Sequence, residues 1–375
     1  MQYHALALAA DGAAVDLVGY AGRPPDRAVA ESASISTHLL PPPLRQRAPA
    51  ALFLPAAAAD VALQSASLFR LLAGLPRPDF ILVQNPPSLP TLPVARLAAA
   101  FRRSRLVVDW HNFGADMLAL RLGAGHPAVR AAEAVERAVG RRAHAHLCVS
   151  AAMRAELARR FGVDGARVLH DRPAKRAPRP ERGPLFARLG LPDATAVAVT
   201  SSSWTDDEDF GLLLDAARQL DARGDLPELL LVMTGDGPRR TAWEARFAAA
   251  GLKRVHPRTL WVAAEDYPLL LGAADVGISL HRSASGVDLP MKIADMFGAG
   301  LPVLALDYGP VLREMVAPGI NGRLFGDAAT LAGALAALLG DPVALATLRR
   351  GVAETAATSW QDGWRAEARA VFEIR

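Results

Sequence analysis

Ser283-Ala284-Ser285-Gly286-Val287-Asp288-Leu289-Pro290-Met291-Lys292-Ile293-Ala294-Asp295-Met296-Phe297-Gly298-Ala299-Gly300-Leu301-Pro302-Val303 is the stretch on which the fold reading turns. A loop of small residues runs into a helix, and an apolar strand start follows two glycines, the pattern of one turn of a doubly wound sheet. Pro290 suits a first helical turn, but Lys292 behind it adds a cation where the helix macrodipole already places about half a positive charge. An anion resolves that conflict. A diphosphate resting on the free N–H groups is held by the dipole and by Lys292, each charge-assisted bond contributing about 1.5–3 kcal/mol. Asp295 lies three residues on, on the same helical face, where a carboxylate can accept both hydroxyls of a ribose. The plainer alternative is a surface ion pair between Lys292 and Asp295. Ser285, Gly286, Lys292 and Asp295 are therefore candidate ligands of a phosphorylated nucleoside.

Working outward, strands are predicted at Ala196–Ser201, Leu229–Thr234, Thr259–Val262, Val276–Leu280 and Pro302–Leu306, alternating with helical stretches. In such sheets ligands sit at the carboxyl ends of the strands, so the loops there are expected to carry the chemistry and to face a cleft between domains. After the first of these strands, Ser201, Ser202 and Ser203 offer hydroxyls to a phosphate or a sugar, followed by Trp204 and the acidic run Asp206-Asp207-Glu208-Asp209. The acids invite a metal assignment. Thr205 and Glu208, however, have capping-box spacing, and acids suit a first helical turn without any ligand, so capping is preferred to metal. Gly235, in Thr234-Gly235-Asp236-Gly237-Pro238, allows close approach of a ligand to backbone. Trp261 can sit against a nucleobase, with core packing the somewhat stronger reading.

The first half repeats the pattern, with strands predicted at Ala14–Tyr20, Phe80–Gln84, Arg105–Asp109, Ala145–Val149 and Arg167–His170. Between the halves, Pro173, Pro178, Pro180 and Pro184 among arginines predict a linker that cannot sustain a helix. The domain reading is residues 1–172, a linker at 173–185, a second domain at 186–357, and a terminal helix at 358–375 that returns toward the first domain. The chain opens directly in a helix-like run, Gln2–Ala10, so the first strand and its glycine loop are expected to be missing from the N-terminal domain. Asp109-Trp110-His111-Asn112 ends an apolar strand in a polar cluster, the place for a base that activates an acceptor: His111 titrates near neutrality and Asp109 can orient it. A histidine satisfied by backbone at a strand end is the equally good plain reading. Asn85 and Asn112 carry amides suited to sugar hydroxyls.

Composition narrows the class. A chain of 375 residues, half hydrophobic and 21% charged, is too long for one ordinary core and too apolar to be disordered. The single cysteine, Cys148, excludes an internal disulfide and reads as a small buried strand residue. The net charge is only +4, but arginine clusters at Arg102-Arg103, Arg141-Arg142 and Arg172–Arg182 favour phosphorylated substrates or an anionic membrane surface. Nucleic acid is disfavoured, because aromatics do not interleave the basic residues. The most apolar stretch, Ala48–Leu75, is broken by Pro55, Asp60, Gln64 and Arg70, so no transmembrane span is expected. It reads as a buried helix or a peripheral membrane contact. The N-terminus carries no signal-peptide pattern, which implies a cytosolic location.

Ser202–Phe210, Glu265–Gly272 and Ser285–Lys292 together resemble the chitobiosyl-diphosphodolichol β-mannosyltransferases. Met1–Leu6, Gln84–Pro87, Asp109–Asn112, His126-Pro127 and Asp171–Pro173 extend the resemblance through essentially the whole chain. It implies an α/β GT-B fold, two doubly wound Rossmann-like domains facing a central cleft. It further implies GDP-mannose as donor, a lipid-diphosphate-linked chitobiose as acceptor, inversion to a β1,4 linkage, and no cofactor or metal. Lys292 and Asp295 match the donor segment of the wider GT-B class, and Ser202, Ser203, Trp204, Gly235 and Trp261 are expected around the same donor. The resemblance places the enzyme at the cytosolic face of a membrane, the endoplasmic reticulum in a eukaryote or the plasma membrane in a bacterium. Members usually carry an N-terminal membrane anchor, a strand and a glycine- and arginine-containing loop ahead of the position Met1 occupies. Two alternatives stand beside this reading: a transferase of the same fold using another nucleotide sugar and polyprenyl acceptor, and a catalytically silent partner subunit.

Overall fold

The computed structural model describes residues 1–22, 24–42, 53–173 and 178–372. They form two compact units, Met1–His170 with the C-terminal segment from Trp360, and Asp171–Ser359.

In the first unit Val15–Tyr20 (β1) and Ile35–Leu40 (β2) form a two-stranded parallel sheet. Phe80–Asn85 (β3), Arg105–Trp110 (β4), Ala145–Cys148 (β5) and Arg167–Val168 (β6) form a second parallel sheet in the order β3-β4-β5-β6. Leu106, Val107 and Val108 are all buried, as a central strand covered on both faces requires. The opening run is helical, Gln2–Ala10. Its Ala5 packs with Val15, Leu17 and Ile35, while Ala7 packs with Val107 and Leu147, so one helix covers both sheets. The strand β2 escapes the sequence reading because Ser36, Thr37 and His38 interrupt its apolar pattern. Cys148 is fully buried in β5.

The second unit holds Ala196–Ser201 (β7), Leu229–Thr234 (β8), Val255–Leu260 (β9), Val276–Ser279 (β10), Val303–Leu306 (β11) and Gly322–Phe325 (β12), all parallel. The order is β12-β11-β10-β7-β8-β9. The strand order reverses at the β7/β10 pair, so the loops leaving these strands are neighbours at the switch point. Two expectations are corrected here. The strand predicted at Thr259–Val262 runs instead from Val255 to Leu260 with Pro257 inside it, which the edge of a sheet tolerates because proline's missing donor faces outward. The segment predicted as a linker without helix starts one at Arg182, where Pro184 occupies the first turn, whose N–H groups have no intrahelical partner in any case.

The apolar stretch around Ala48–Leu75 contains the helix Phe53–Gly74, whose Leu68 packs against Leu40 and Val94; residues 48–52 lie outside the described residues. Among the described residues no single helix is long and apolar enough to cross a membrane, and the bent pair Ala328–Leu339 and Pro342–Thr355 buries Leu331, Leu335 and Leu348 in a core. Several clustered arginines are engaged locally: Arg102 donates to the carbonyls of Ala73 and Leu75, Arg141 to that of Phe161, and Arg182 to that of Ala273.

Candidate active site

In the second unit the helix Met291–Gly298 begins after Pro290, and no side chain caps its N-terminus. Lys292 projects from its first turn and pairs through Nζ with Oε1 of Glu208, a residue only 5% exposed. The other carboxylate oxygen of Glu208 accepts the backbone N–H of Ser203 at 2.9 Å and of Trp204 at 3.1 Å, and the Ser202 hydroxyl. This overturns the capping-box reading of Thr205 and Glu208. The helix after β7 starts at Phe210, capped by Asp209, whose Oδ1 accepts from Leu212 N at 3.0 Å. Glu208 instead folds the serine turn around itself and sets Lys292 beside it. The Lys292–Asp295 pair is not formed. Asp295 lies next to the Tyr267 hydroxyl, which donates to Ser201 Oγ at 2.9 Å. Desolvation raises the Asp295 carboxyl to about 6, with repulsion from Asp171 adding to the rise and the Tyr267 hydroxyl opposing it.

Ser283–Asp288 closes on the Asp288 carboxylate. Ser283 and Ser285 hydroxyls donate to its Oδ1, and Gly286, at φ +75°, donates its N–H to Ser283 Oγ at 2.7 Å. His281 links this loop to the one after β7, with Nε2 at 3.2 Å from Asp288 and Nδ1 at 3.3 Å from Asp207. Burial alone would lower its pKa, but bonds to the two carboxylates more than offset that and raise it to about 9. The imidazolium donates from both nitrogens, and Arg282 N donates to Asp207 O at 2.8 Å beside it.

Two expected donor residues, Trp204 and Gly235, play other parts. Trp204 is fully buried and stacks on Phe210 at 4.3 Å, so its ring belongs to the core and only its backbone serves the turn. Gly235 is at φ +115°, and a Cβ there would lie 1.9 Å from the Ser202 carbonyl oxygen: it is glycine because the serine turn packs on it. Trp261, read as core, is 55% exposed just beyond β9. Glu208, Tyr267, His281 and Asp288 were missed as a set. Glu208, Tyr267 and Asp288 sit inside quoted motifs and His281 just ahead of one, but nothing in local spacing shows which distant side chain each meets.

In the first unit, Asp109 at the end of β4 is 2% exposed and receives His111 Nε2 at 2.7 Å. Burial alone would raise its pKa; His111 and then His4 more than offset this and hold the carboxyl well below the usual range. Asn85 is fully buried and donates to Asn112 O at 3.0 Å and to Glu136 Oε1 at 2.8 Å. Its amide nitrogen therefore ties loops together, contrary to the expectation that it binds sugar. Asn112 turns its Oδ1 to the N–H of Phe113 at 2.8 Å. Glu136, unnoticed in the sequence because it lies mid-helix, also accepts Ser88 Oγ and Gly114 N at 2.7 Å each. Burial raises its pKa despite those donors. Among the described residues no group of three or more His, Cys, Asp or Glu side chains is placed to hold a metal ion.

Two parallel α/β units, an uncapped helix at the switch point and a carboxylate–histidine pair at a strand end define a GT-B glycosyltransferase. Residues 2–170 match the model of the glycosyl transferase 4-like domain, and residues 195–341 that of the glycosyl transferases group 1. The solved structure of sucrose-phosphate synthase from Thermosynechococcus elongatus superposes with a TM-score of 0.69 at 20% identity, covering 96% of this chain and 88% of that one. Anabaena HepE with UDP-glucose does so at 0.66 and 18%, covering 94% and 98%. The chain is 39% identical to chitobiosyldiphosphodolichol beta-mannosyltransferase of Yarrowia lipolytica, over all of this chain and 83% of that protein. It is 34% identical to the Homo sapiens protein of that name, over 97% and 87%, and 38% identical to the UDP-glycosyltransferase TURAN of Arabidopsis thaliana, over 96% and 92%. It belongs to the chitobiosyldiphosphodolichol beta-mannosyltransferase family.

Proposed function

We propose that this enzyme transfers mannose from GDP-mannose to a lipid-diphosphate-linked chitobiose, with inversion to a β1,4 linkage and without a metal ion. The observation that carries the reading is the uncapped start of helix Met291–Gly298 with Lys292 held at its mouth by Glu208. Free N–H groups and an ammonium group together neutralise charge as it develops on a departing diphosphate, the service a divalent cation otherwise supplies. Asp295 accepts the ribose hydroxyls one turn away, Ser202, Ser203 and Ser285 line the phosphate loops, and exposed Trp261 is available to a base. His111, oriented by Asp109, takes the proton of the attacking acceptor hydroxyl. Leu97 and Phe101, exposed on the helix Thr91–Arg102, support peripheral contact with the cytosolic face of the membrane that carries the acceptor.

Calorimetric titration with GDP-mannose, GDP and UDP-glucose in a chelator tests the donor site. We expect guanine-selective binding, weakened about tenfold to a hundredfold in Lys292→Ala as one charge-assisted contact is lost. Selective UDP-glucose binding would reassign the donor, and absence of binding to any of the three would overturn the proposal.

A further inference from the structure

The hydrogen bonding around Asp109 extends beyond His111. His4, on the opening helix and 4% exposed, reaches the same oxygen, Oδ2, through Nε2 at 3.0 Å. Its other nitrogen, Nδ1, lies 3.2 Å from Nε1 of Trp364, a fully buried side chain in the C-terminal segment that folds with this unit. An indole N–H only donates. Nδ1 of His4 must therefore be the bare acceptor nitrogen and Nε2 must carry the hydrogen, which makes the ring neutral. An imidazolium would have no lone pair for Trp364 and would lose that bond. Trp360 closes the remaining side of the ring, edge to face at 5.0 Å. Asp109 and the two histidines face one another in this cluster, and Tyr3 lies beside it with its ring 5.6 Å from that of Trp360.

We propose that His4 is a positioning residue for His111, locked by Trp364 as the neutral Nε2–H tautomer so that the negative charge of Asp109 is reserved for His111. This rests on the reading of His111 as the base. His111, oriented by Asp109 through Nε2, receives the acceptor's proton. As it does, the acceptor oxygen bonds to the sugar carbon, and the bond from that carbon to the diphosphate breaks with its electron pair leaving on the phosphate. The imidazolium so formed faces an undivided carboxylate charge. A protonated His4 would share that charge and make His111 a weaker base.

Nitrogen-15 NMR of the histidine-labelled full chain reads the lock directly. In the parent protein His4 is expected to show hydrogen on Nε2 and a bare Nδ1, and in Trp364→Phe, which removes the indole N–H, it is expected to lose that single form. Hydrogen on Nδ1 of His4 in the parent protein, or an unchanged His4 in the variant, overturns the proposal. In turnover assays Trp364→Phe should lower kcat by about tenfold to a hundredfold, as a misplaced base does, with the donor KM within about twofold. It should also move the acidic limb of the kcat–pH profile to lower pH. Adding His4→Gln, a neutral donor, to Trp364→Phe should return that limb to its original position; a limb that stays displaced overturns the charge argument. Should Trp364→Phe fail to fold, the nitrogen shifts of the parent protein decide alone, and hydrogen on Nδ1 of His4 is equally fatal. The NMR reads the lock whether or not the chain turns over, so a lock without turnover overturns the proposed function instead.

Discussion

Below a pH of about 6 the Asp295 carboxyl takes up a proton and loses half of its capacity to accept a pair of hydroxyls. Nucleotide affinity measured by calorimetry should therefore fall several-fold between pH 7 and pH 5, and Asp295→Asn should be weak and flat across the same interval. Gly235 presents a steric case with no titration in it. Any side chain there meets the Ser202 carbonyl at 1.9 Å from a backbone already at φ +115°. Gly235→Ala is expected to destabilise the second unit by at least about 2 kcal/mol in denaturant unfolding, because neither the serine turn nor the backbone angle can give way.

Loops and helix starts are held by single buried carboxylates, and each can be separated from its charge. The Asn85, Ser88 and Gly114 donors all converge on Oε1 of Glu136, while Oε2 has no hydrogen-bond partner among the described residues. Glu136→Gln retains Oε1 as acceptor and should fold almost as well as the parent. Glu136→Ala strands the Asn85, Ser88 and Gly114 donors and should cost about 3–5 kcal/mol. His281 works in the opposite sense. Its folded-state pKa, about 9, lies above the ordinary value of 6.5, so its contribution is complete below pH 6.5 and disappears as pH rises through 9. Chemical denaturation should show at most about 3 kcal/mol of stability lost across that window, and His281→Gln should remove the dependence.

On the scale of the whole molecule, the C-terminal segment folds with the first unit, not with the second that precedes it. Trp360, Trp364, Ala368 and Phe372 pack with Val107, Leu147 and Leu169 beside the four-stranded sheet. Ending the chain at Ser359 would expose that surface and remove the partner of His4 together. Such a truncation should lose the unfolding transition of the first unit while keeping the nucleotide affinity of the second, which calorimetry and scanning calorimetry on one sample can separate.

Much of this was written locally. The β7, β8, β10 and β11 strands are largely apolar runs, and the loop, proline and lysine of Ser285–Lys292 carry the expectation of an anion site because charge at a helix start depends only on neighbours in sequence. Resemblance across whole motifs named the family for the same reason: motifs are local strings. What only the folded chain decided is which distant groups complete each site. Glu208 meets Lys292 across 84 positions, and Trp364 meets His4 across 360. Trp204 turned from expected ligand to core because Phe210 offered a face to stack on, and Asn85 from sugar ligand to loop tie because Glu136 is buried beside it. Secondary structure follows from periodicity along the chain, whereas a hydrogen-bond partner is set by burial, and burial belongs to the tertiary fold.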